Sequence, residues 1–234
     1  MIEIKNFSKI YPNGKVGADD LTLIVDDGDI FAFIGHNGAG KTTTIKSIVG
    51  ILDITKGDIL INGISIKSNP VETKKIMAYV PDNPDIYNAL TGIQYLNLIA
   101  DIYRVDKTVR EKLIKKYATD YEIIDNLNDA IANYSHGMKQ KLVLISALIH
   151  EPKVLILDEP FVGLDPKSTF LTKQIMKDLS AKKCTIFFST HILEVAEKLC
   201  NKVAIIKNGK IITCGKMSDV KKDKSLESVF MEEV

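Results

Sequence analysis

The sequence is poor in features that mark several classes of protein. It contains no tryptophan and three cysteines, which lie far apart at Cys184, Cys200 and Cys214. An odd and scattered set without metal-ligand spacing indicates reduced thiols, not a disulfide framework or a zinc site. Acidic and basic residues nearly balance, with a net charge of +1, so the composition does not favour nucleic acid as a partner.

Long apolar stretches are also missing. No hydrophobic run approaches the roughly 18 residues that a membrane-spanning helix requires. The first residues, Met1–Lys5, alternate like a strand and lack the pattern of a signal peptide. What is present is a chain of 234 residues, 45% of them hydrophobic. This is enough for one or two compact layers around a core.

The most informative stretch is a glycine-rich loop with the pattern G-x-x-x-x-G-K-T. It consists of Gly35, His36, Asn37, Gly38, Ala39, Gly40, Lys41, Thr42 and Thr43. An apolar run at 30–34 precedes it like a buried strand, and residues 44–49 follow with helical spacing. Glycines let backbone N–H groups approach anionic oxygens, and the helix adds the positive end of its dipole. We expect this loop to bind a nucleoside triphosphate, with Lys41 on the β- and γ-phosphates and Thr42 on Mg²⁺.

Two carboxylates at the end of an apolar run give the second strong signal. Residues 154–157 predict a buried strand, which Asp158 and Glu159 follow directly. Ligands of an α/β nucleotide fold lie at the carboxyl ends of its strands. We therefore expect Asp158 to hold metal-bound water and Glu159 to polarise an attacking water. His191, just past another predicted strand, could donate to a γ-phosphate oxygen, although a lone histidine there is more often structural.

The remaining patterns predict an α/β chain with a helical insertion. Runs at 2–4, 21–25 and 58–63 predict an antiparallel sheet, and the interval 87–150 shows helical spacing without a strand signal. Further strands are predicted at 77–81, 184–191, 202–207 and 211–214, and further helices after 165 and at 192–200 and 225–231. Ser135 stands as the N-cap of a helix. Tyr11 lies in a turn, either half-buried or exposed to stack on a purine.

Taken in order, these motifs identify a family resemblance. The sequence resembles the ATP-binding subunits of ATP-binding-cassette (ABC) transporters essentially from end to end. The glycine-rich loop matches the family's Walker A motif, and 154–158 matches the Walker B strand. The remaining matches are the catalytic glutamate at Glu159, the D-loop at 163–165, the switch histidine at His191 and the adenine-stacking aromatic at Tyr11.

The resemblance implies the fold and its boundaries. It implies one ABC ATPase domain over residues 1–234, of class α/β, with a P-loop NTPase (RecA-like) core, an antiparallel β subdomain and an inserted α-helical subdomain. The core with its β subdomain is expected at 1–86 and 151–216. The helical subdomain is expected at 87–150 and a C-terminal tail at 217–234.

Two motifs depart from the usual family pattern. The signature Leu-Ser-Gly-Gly-Gln is here Tyr-Ser-His-Gly-Met at 134–138, so only Ser135 and Gly137 match. The resemblance implies that these two residues contact the γ-phosphate bound by the other subunit. Asp82 replaces the glutamine of the Q-loop. A carboxylate there can join the water shell of Mg²⁺, but it adds negative charge near the triphosphate.

The resemblance also implies an activity and partners. It implies hydrolysis of ATP with Mg²⁺, in a head-to-tail dimer with a second ATP-binding subunit, either a copy or a sister chain. A separate transmembrane permease would hold the subunit on the cytoplasmic face of the membrane. The tail at 226–230 and the Pro81-Asp82 pair are similar to a bacterial branch that exports drugs, antimicrobial peptides or lipids. No nucleic-acid partner is implied.

Two other classes of function stay open at this point. A soluble cassette ATPase of DNA repair or of the ribosome would usually carry long coiled coils or two cassettes, and this sequence shows neither. A GTPase-type switch would use an Asn-Lys-x-Asp motif. The sequence at 201–204, Asn-Lys-Val-Ala, lacks its aspartate.

Overall fold

The computed structural model describes residues 1–233. The strands are β1 (Ile2–Ile10), β2 (Val16–Val25), β3 (Ile30–Ile34), β4 (Lys56–Ile61), β5 (Ile64–Ser65), β6 (Met77–Val80), β7 (Val154–Asp158), β8 (Thr185–Thr190), β9 (Lys202–Lys207) and β10 (Lys210–Lys216). The α-helices are α1 (Lys41–Ile48), α2 (Pro70–Lys75), α3 (Gly92–Ile102), α4 (Lys107–Asp120), α5 (His136–Leu148), α6 (Pro166–Ala181), α7 (Leu193–Leu199), α8 (Met217–Lys221) and α9 (Leu226–Glu233). Short 3₁₀ helices lie at Ile124–Asn126 and Ile131–Asn133.

These elements form two compact units. The first comprises Met1–Tyr79, Lys153–Pro160 and the described residues from Met176 onward. The second comprises Val80–Pro152 and Phe161–Ile175. The interval 87–150, expected to be helical, lies inside the second unit, and its elements there are α3, α4, α5 and the two 3₁₀ helices.

The first unit contains two sheets. One has four strands in the order β2-β1-β4-β5, and the pairings of β1 with β2 and β4 are antiparallel. The other has six strands in the order β10-β9-β3-β8-β7-β6. In it β3 pairs in parallel with β8 and β9, and β7 pairs in parallel with β8. The predicted antiparallel sheet beside a parallel nucleotide core is confirmed.

The central strands of the larger sheet are buried along their whole length. Every residue of β3, β7 and β8 is buried, as expected for parallel strands that are covered on both faces. One hydrophobic cluster joins side chains of both sheets and of α1, among them Phe7, Phe31, Ile45, Ile156 and Phe187. The strands that carry the candidate site are therefore held in a rigid core.

Local capping explains where the helices of the second unit begin. The Thr91 side chain accepts the backbone N–H of Gln94, and the Gln94 side chain accepts the backbone N–H of Thr91. This capping box satisfies N–H groups that have no partner inside α3. The Asp106 side chain caps α4 by accepting the backbone N–H groups of Thr108 and Val109.

Elsewhere in the second unit, the hydroxyl groups of Tyr121 and Thr172 are 2.9 Å apart and hydrogen-bonded.

Most sequence predictions of local structure are confirmed to within one or two residues. The strand at 202–207 matches β9, and the helix expected at 192–200 is α7 at Leu193–Leu199. The short elements α2, β5 and α8 carried no sequence prediction. Cys184 and Cys200 are buried, as reduced core residues should be, and Cys214 is exposed. None of the helices in the described part of the chain has the length and hydrophobicity required to cross a bilayer.

The half-buried imidazole of His150 is expected to make the stability of the second unit depend on pH. The rings of His150 and Tyr103 stack with their centroids 3.7 Å apart, and burial lowers the pKa of His150 to about 4. In the unfolded chain this pKa is about 6.5. Below about pH 6.5 the imidazole is protonated in the unfolded chain but stays neutral in the folded chain until the pH approaches about 4. Proton binding therefore favours the unfolded chain, and the free energy of unfolding decreases as the pH falls through this range.

We expect the free energy of unfolding to drop by about 2 kcal/mol between about pH 7.5 and about pH 5 on account of His150. Urea unfolding at both pH values, on the parent protein and on His150→Phe, measures this contribution. The phenylalanine keeps a ring against Tyr103 but does not titrate. An equal loss of stability in both proteins would contradict the assignment.

Candidate active site

The glycine-rich loop lies between β3 and α1, where the sequence predicted it. Gly40 has a φ of +112°, and a Cβ there would lie 2.4 Å from the carbonyl oxygen of Gly17. Glycine is therefore required at this position by both backbone and packing. No side chain of the described residues caps α1, and its first turn contains no acid. The first N–H groups of α1 are available to an anion, which the helix dipole also favours.

Lys41 is held against the carbonyl groups of the loop. Its Nζ donates to the oxygens of Gly35 at 2.6 Å and His36 at 3.3 Å. Only 6% of the side chain is exposed, and Nζ lies 3.8 Å from Oε1 of Glu159. Burial lowers the pKa of Lys41, and the carboxylates of Glu159 and Asp158 partly offset this effect. A cation is thus placed beside the backbone of the glycine-rich loop.

A serine on β8 fixes both carboxylate residues at the end of β7. Asp158 is fully buried and lies opposite Ser189 in the parallel register. The Ser189 hydroxyl donates to Oδ1 of Asp158 and accepts the backbone N–H of Glu159 at 3.1 Å. Ser189 does not stand out in the sequence as a candidate site residue. Its signal was its place near the end of a buried strand, which becomes informative only once β7 and β8 are known to be neighbours.

Glu159 adopts an unusual backbone conformation between two basic groups. Its φ is +47°, in the left-handed region that residues other than glycine rarely occupy and that is often found at functional sites. Its Oε2 lies 2.9 Å from Nδ1 of His191. The Glu159 side chain is 16% exposed and that of His191 56%. The structure therefore brings together Lys41, Glu159 and His191.

Tyr11 lies next to the loop and is half-buried. Its hydroxyl group forms a hydrogen bond of 3.0 Å with Oγ1 of Thr43. The ammonium of Lys9 lies 5.6 Å from the centre of the ring. A Cβ at position 17 would come within 2.8 Å of the ring, so Gly17 makes room for it. Stacking of this ring on a purine stays a prediction.

The donor set of the first unit fits a hard divalent cation. Thr42 offers a hydroxyl in the first turn of α1, and Asp158 offers a carboxylate at the end of β7. Mg²⁺ binds few protein oxygens and takes its other ligands from phosphate and water. Among residues 1–233 no group of three or more His, Cys, Asp and Glu side chains could hold a metal.

The altered signature motif has a structural explanation in the second unit. Tyr134, at the position of the usual leucine, is buried, and its hydroxyl donates to the carbonyl of Asn126 at 2.6 Å. A Cβ at Gly92 would lie 2.3 Å from that hydroxyl, so the glycine admits the larger ring. Burial raises the pKa of Tyr134. The tyrosine fills a core position, and the exposed residues after it are the ones available for binding.

Ser135 caps α5, as the sequence predicted. Its hydroxyl accepts the backbone N–H of Met138 at 3.2 Å, and its side chain is exposed. A Cβ at Gly137 would lie 2.8 Å from the carbonyl oxygen of Gly163. The start of α5 therefore packs directly on the loop at 163–165, and only glycine fits at position 137.

The loop at 163–165 is tied to α5 by charge. Nζ of Lys141 lies 2.8 Å from Oδ2 of Asp165. The Lys141 ammonium and the Ser168 N–H hold the pKa of Asp165 well below its usual range. Asp82, also in the second unit, is exposed, and its Oδ1 accepts the N–H of Asn83 at 2.8 Å. A role for Asp82 in binding Mg²⁺ stays a prediction.

Comparisons with known proteins agree with one another. The family model described as ABC transporter matches residues 18–162. The chain is 36% identical over 234 residues to the ABC transporter ATP-binding protein YhcH of Bacillus subtilis, with all of this chain and 75% of YhcH covered. It is 34% identical over 212 residues to the SkfA peptide export ATP-binding protein SkfE of that organism, covering 91% and 87%. A solved ATP-binding subunit of an ABC transporter aligns at 34% identity with a TM-score of 0.95, covering 99% of this chain and 98% of that one.

Proposed function

Because the chain belongs to the ABC transporter family, as an ATP-binding subunit that hydrolyses ATP, we propose that this hydrolysis drives export through a separate transmembrane permease. The similarity to SkfE, which is named for peptide export, supports the direction. The resemblance of the tail to the branch with separate permeases supports a separate permease as the partner. In this proposal the permease holds the subunit on the cytoplasmic face of the membrane.

The arrangement of Lys41, Glu159 and His191 supports the proposed assignment of the catalytic groups. The backbone of 35–43 and the start of α1 bind the phosphates, and Lys41 leaves its carbonyl partners to contact the β- and γ-phosphates. Tyr11 stacks on the adenine. Because Lys41 and His191 are both donors, they stabilise the negative charge on the transferring phosphoryl group.

Glu159 acts on the attacking water in this proposal. Its carboxylate accepts a proton from the water as the oxygen attacks the γ-phosphorus. The bond between that phosphorus and the bridging oxygen breaks, which leaves ADP and inorganic phosphate. His191 holds Oε2 of Glu159, and Ser189 holds its backbone, so the base is oriented before the substrate arrives.

Mg²⁺ would be held by Thr42 and Asp158, with Asp82 contributing through water. When bound, the ion would neutralise charge on the β- and γ-phosphate oxygens. Ser189 keeps the Asp158 carboxylate in one orientation by donating to Oδ1. A positioned carboxylate loses less entropy when it ligates a cation, so this serine supports the proposed metal site.

A second ATP-binding subunit completes the site. Ser135 and Gly137 lie at the exposed start of α5 in the second unit, and we assign them to the γ-phosphate that the partner subunit binds. The pair of subunits is then head to tail, formed by two copies or by this chain and a sister chain. The exposed Ser135 hydroxyl and the N-terminus of α5 are both suited to an anion.

Recovery of a permease tests the transport proposal. Tagged Glu159→Gln protein is expressed in cells and isolated from detergent-solubilised membranes with and without ATP. We expect a protein with several membrane spans to be recovered together with the tagged chain. Glu111→Gln is the matched control: it makes the same chemical change at an exposed position on α4 and leaves ATP hydrolysis intact during the isolation.

Recovery of soluble proteins alone, with no membrane protein in either condition, would contradict the proposal. Ribosomal proteins or DNA-repair proteins in that sample would point instead to a soluble cassette ATPase. If a permease is recovered, its own sequence becomes the best guide to the cargo.

A further inference from the structure

The C-terminal helix α9 is fastened to α7. Its apolar side chains Leu226, Val229 and Phe230 are buried. Glu197 on α7 accepts the backbone N–H of Leu226 through Oε2 at 3.0 Å and forms an ion pair with Lys221 through Oε1. A carboxylate at a helix N-terminus satisfies a free N–H group and complements the dipole. The position of α9 is thus set by a side chain of α7.

Phe230 connects α9 to the phosphate-binding loop through a contact with His36. Its ring meets the ring of His36 edge-on, with centroids 4.9 Å apart and planes inclined at 68°, a favourable arrangement for two aromatic rings. The carbonyl of His36 accepts the N–H of Ala39 at 3.1 Å and the ammonium of Lys41 at 3.3 Å. His36 therefore joins the backbone of the loop to a contact outside it.

The same ring borders the space beside the proposed catalytic groups. A partly open cavity of about 340 Å³ is lined by Gly35, His36, Asn37, His191, Leu193 and Phe230. His191 lies two residues before α7, the helix that holds α9 through Glu197. A chain of contacts therefore runs from α7 through α9 to His36.

We propose that α9 is a positioning element of the ATP site, with Phe230 holding the loop through His36 and Glu197 holding α9. The loop contains Gly38 and Gly40, which both have positive φ and give an isolated loop many conformations. Fixing His36 restricts those conformations before ATP binds, so less entropy is lost on binding. The inference rests on ATP hydrolysis at this loop and is independent of the permease and of the direction of transport.

Substitution of Phe230 by alanine tests the proposal. We expect KM for ATP to rise about fivefold, the order of one lost aromatic pair, while kcat changes less than about twofold, because the contact stabilises bound substrate and transition state alike. Met231→Ala is the matched control, since its side chain is 74% exposed on the same helix. A wild-type KM in Phe230→Ala would overturn the proposal.

A double-mutant cycle separates this role from a general effect of the tail. KM is measured for Phe230→Ala, His36→Ala and the protein with both changes. If Phe230 acts through His36, the two effects on KM do not add, and the double variant resembles His36→Ala alone. Effects that multiply would overturn the proposal, because Phe230 would then act without His36.

A third variant covers the case in which Phe230→Ala does not fold. Glu197→Ala keeps Phe230 and releases the start of α9, and we expect a rise in KM in the same direction. A folded Glu197→Ala protein with unchanged KM would overturn the proposal. An inactive parent protein, or full activity in a protein without Lys41, would instead contradict the assignment of the ATP site itself.

Discussion

Glu159→Gln is expected to lower kcat for ATP hydrolysis by about a thousandfold, within the range for loss of a general base. The amide keeps the size of the side chain but cannot take the proton from water. Because Lys41 and the loop are untouched, binding of ATP is retained. Steady-state phosphate release measures kcat, and equilibrium binding of a fluorescent ATP analogue measures affinity.

The same variant is expected to form an ATP-dependent dimer. ATP that is bound but not hydrolysed keeps two subunits together through Ser135 and Gly137 of each. Size-exclusion chromatography with light scattering, with and without ATP, reports the mass. A variant that stays monomeric with ATP and hydrolyses it at the parent rate would show that the mechanism is wrong. Glu111→Gln should behave as the parent protein.

Lys41→Met is expected to lower kcat/KM for ATP by two to three orders of magnitude, about the effect of removing one preorganised donor from a charged transition state. The methionine keeps most of the buried stem and removes the ammonium.

Stability separates this effect from damage to the fold. Burial lowers the pKa of Lys41, which means that the folded protein disfavours its charge. Removing the ammonium should therefore leave the free energy of unfolding within about 1 kcal/mol of the parent value. Lys46→Met on the same helix is the control and should retain activity. A large loss of stability in Lys41→Met, or activity near that of the parent, would contradict the assignment.

The sequence predicted those parts of the site whose chemistry is local. The glycine loop, its strand and its helix are contiguous, so their spacing alone indicates phosphate binding. The same is true of Asp158 and Glu159, which follow a buried strand. The contact of Glu159 with His191 was not predicted as a contact, although each residue was singled out for its own strand end.

What the sequence did not reveal depends on pairing between distant segments. Ser189 gains its importance from the register of β7 with β8, which places its hydroxyl between Asp158 and Glu159. Phe230 meets His36 from the opposite end of the chain, and no local pattern announces such a contact. Tyr134 could be placed in the core only after Gly92 was known to lie against it.

Short elements were missed for a different reason. Helix α2 has six residues, fewer than are needed for a periodic pattern of apolar side chains to be recognised. Its start did carry a signal, because Pro70 stands at its first position. Helix α8 has five residues and lies within 217–234, the interval for which the resemblance implied only a C-terminal tail. Both depend on their surroundings more than on their own sequence.

The two buried cysteines, Cys184 and Cys200, can report local unfolding of the structure that covers them. Burial raises the pKa of Cys184 to about 12 and raises that of Cys200 as well, so neither thiol ionises at neutral pH while it is covered. An alkylating reagent reacts with the thiolate and must wait for the covering structure to separate. Cys200 directly follows α7, the helix that begins two residues after His191. In a protein with the exposed Cys214 replaced by serine, the rate of alkylation at Cys200 would measure local opening at the end of this helix. Comparing that rate with and without ATP would show whether ATP changes the opening.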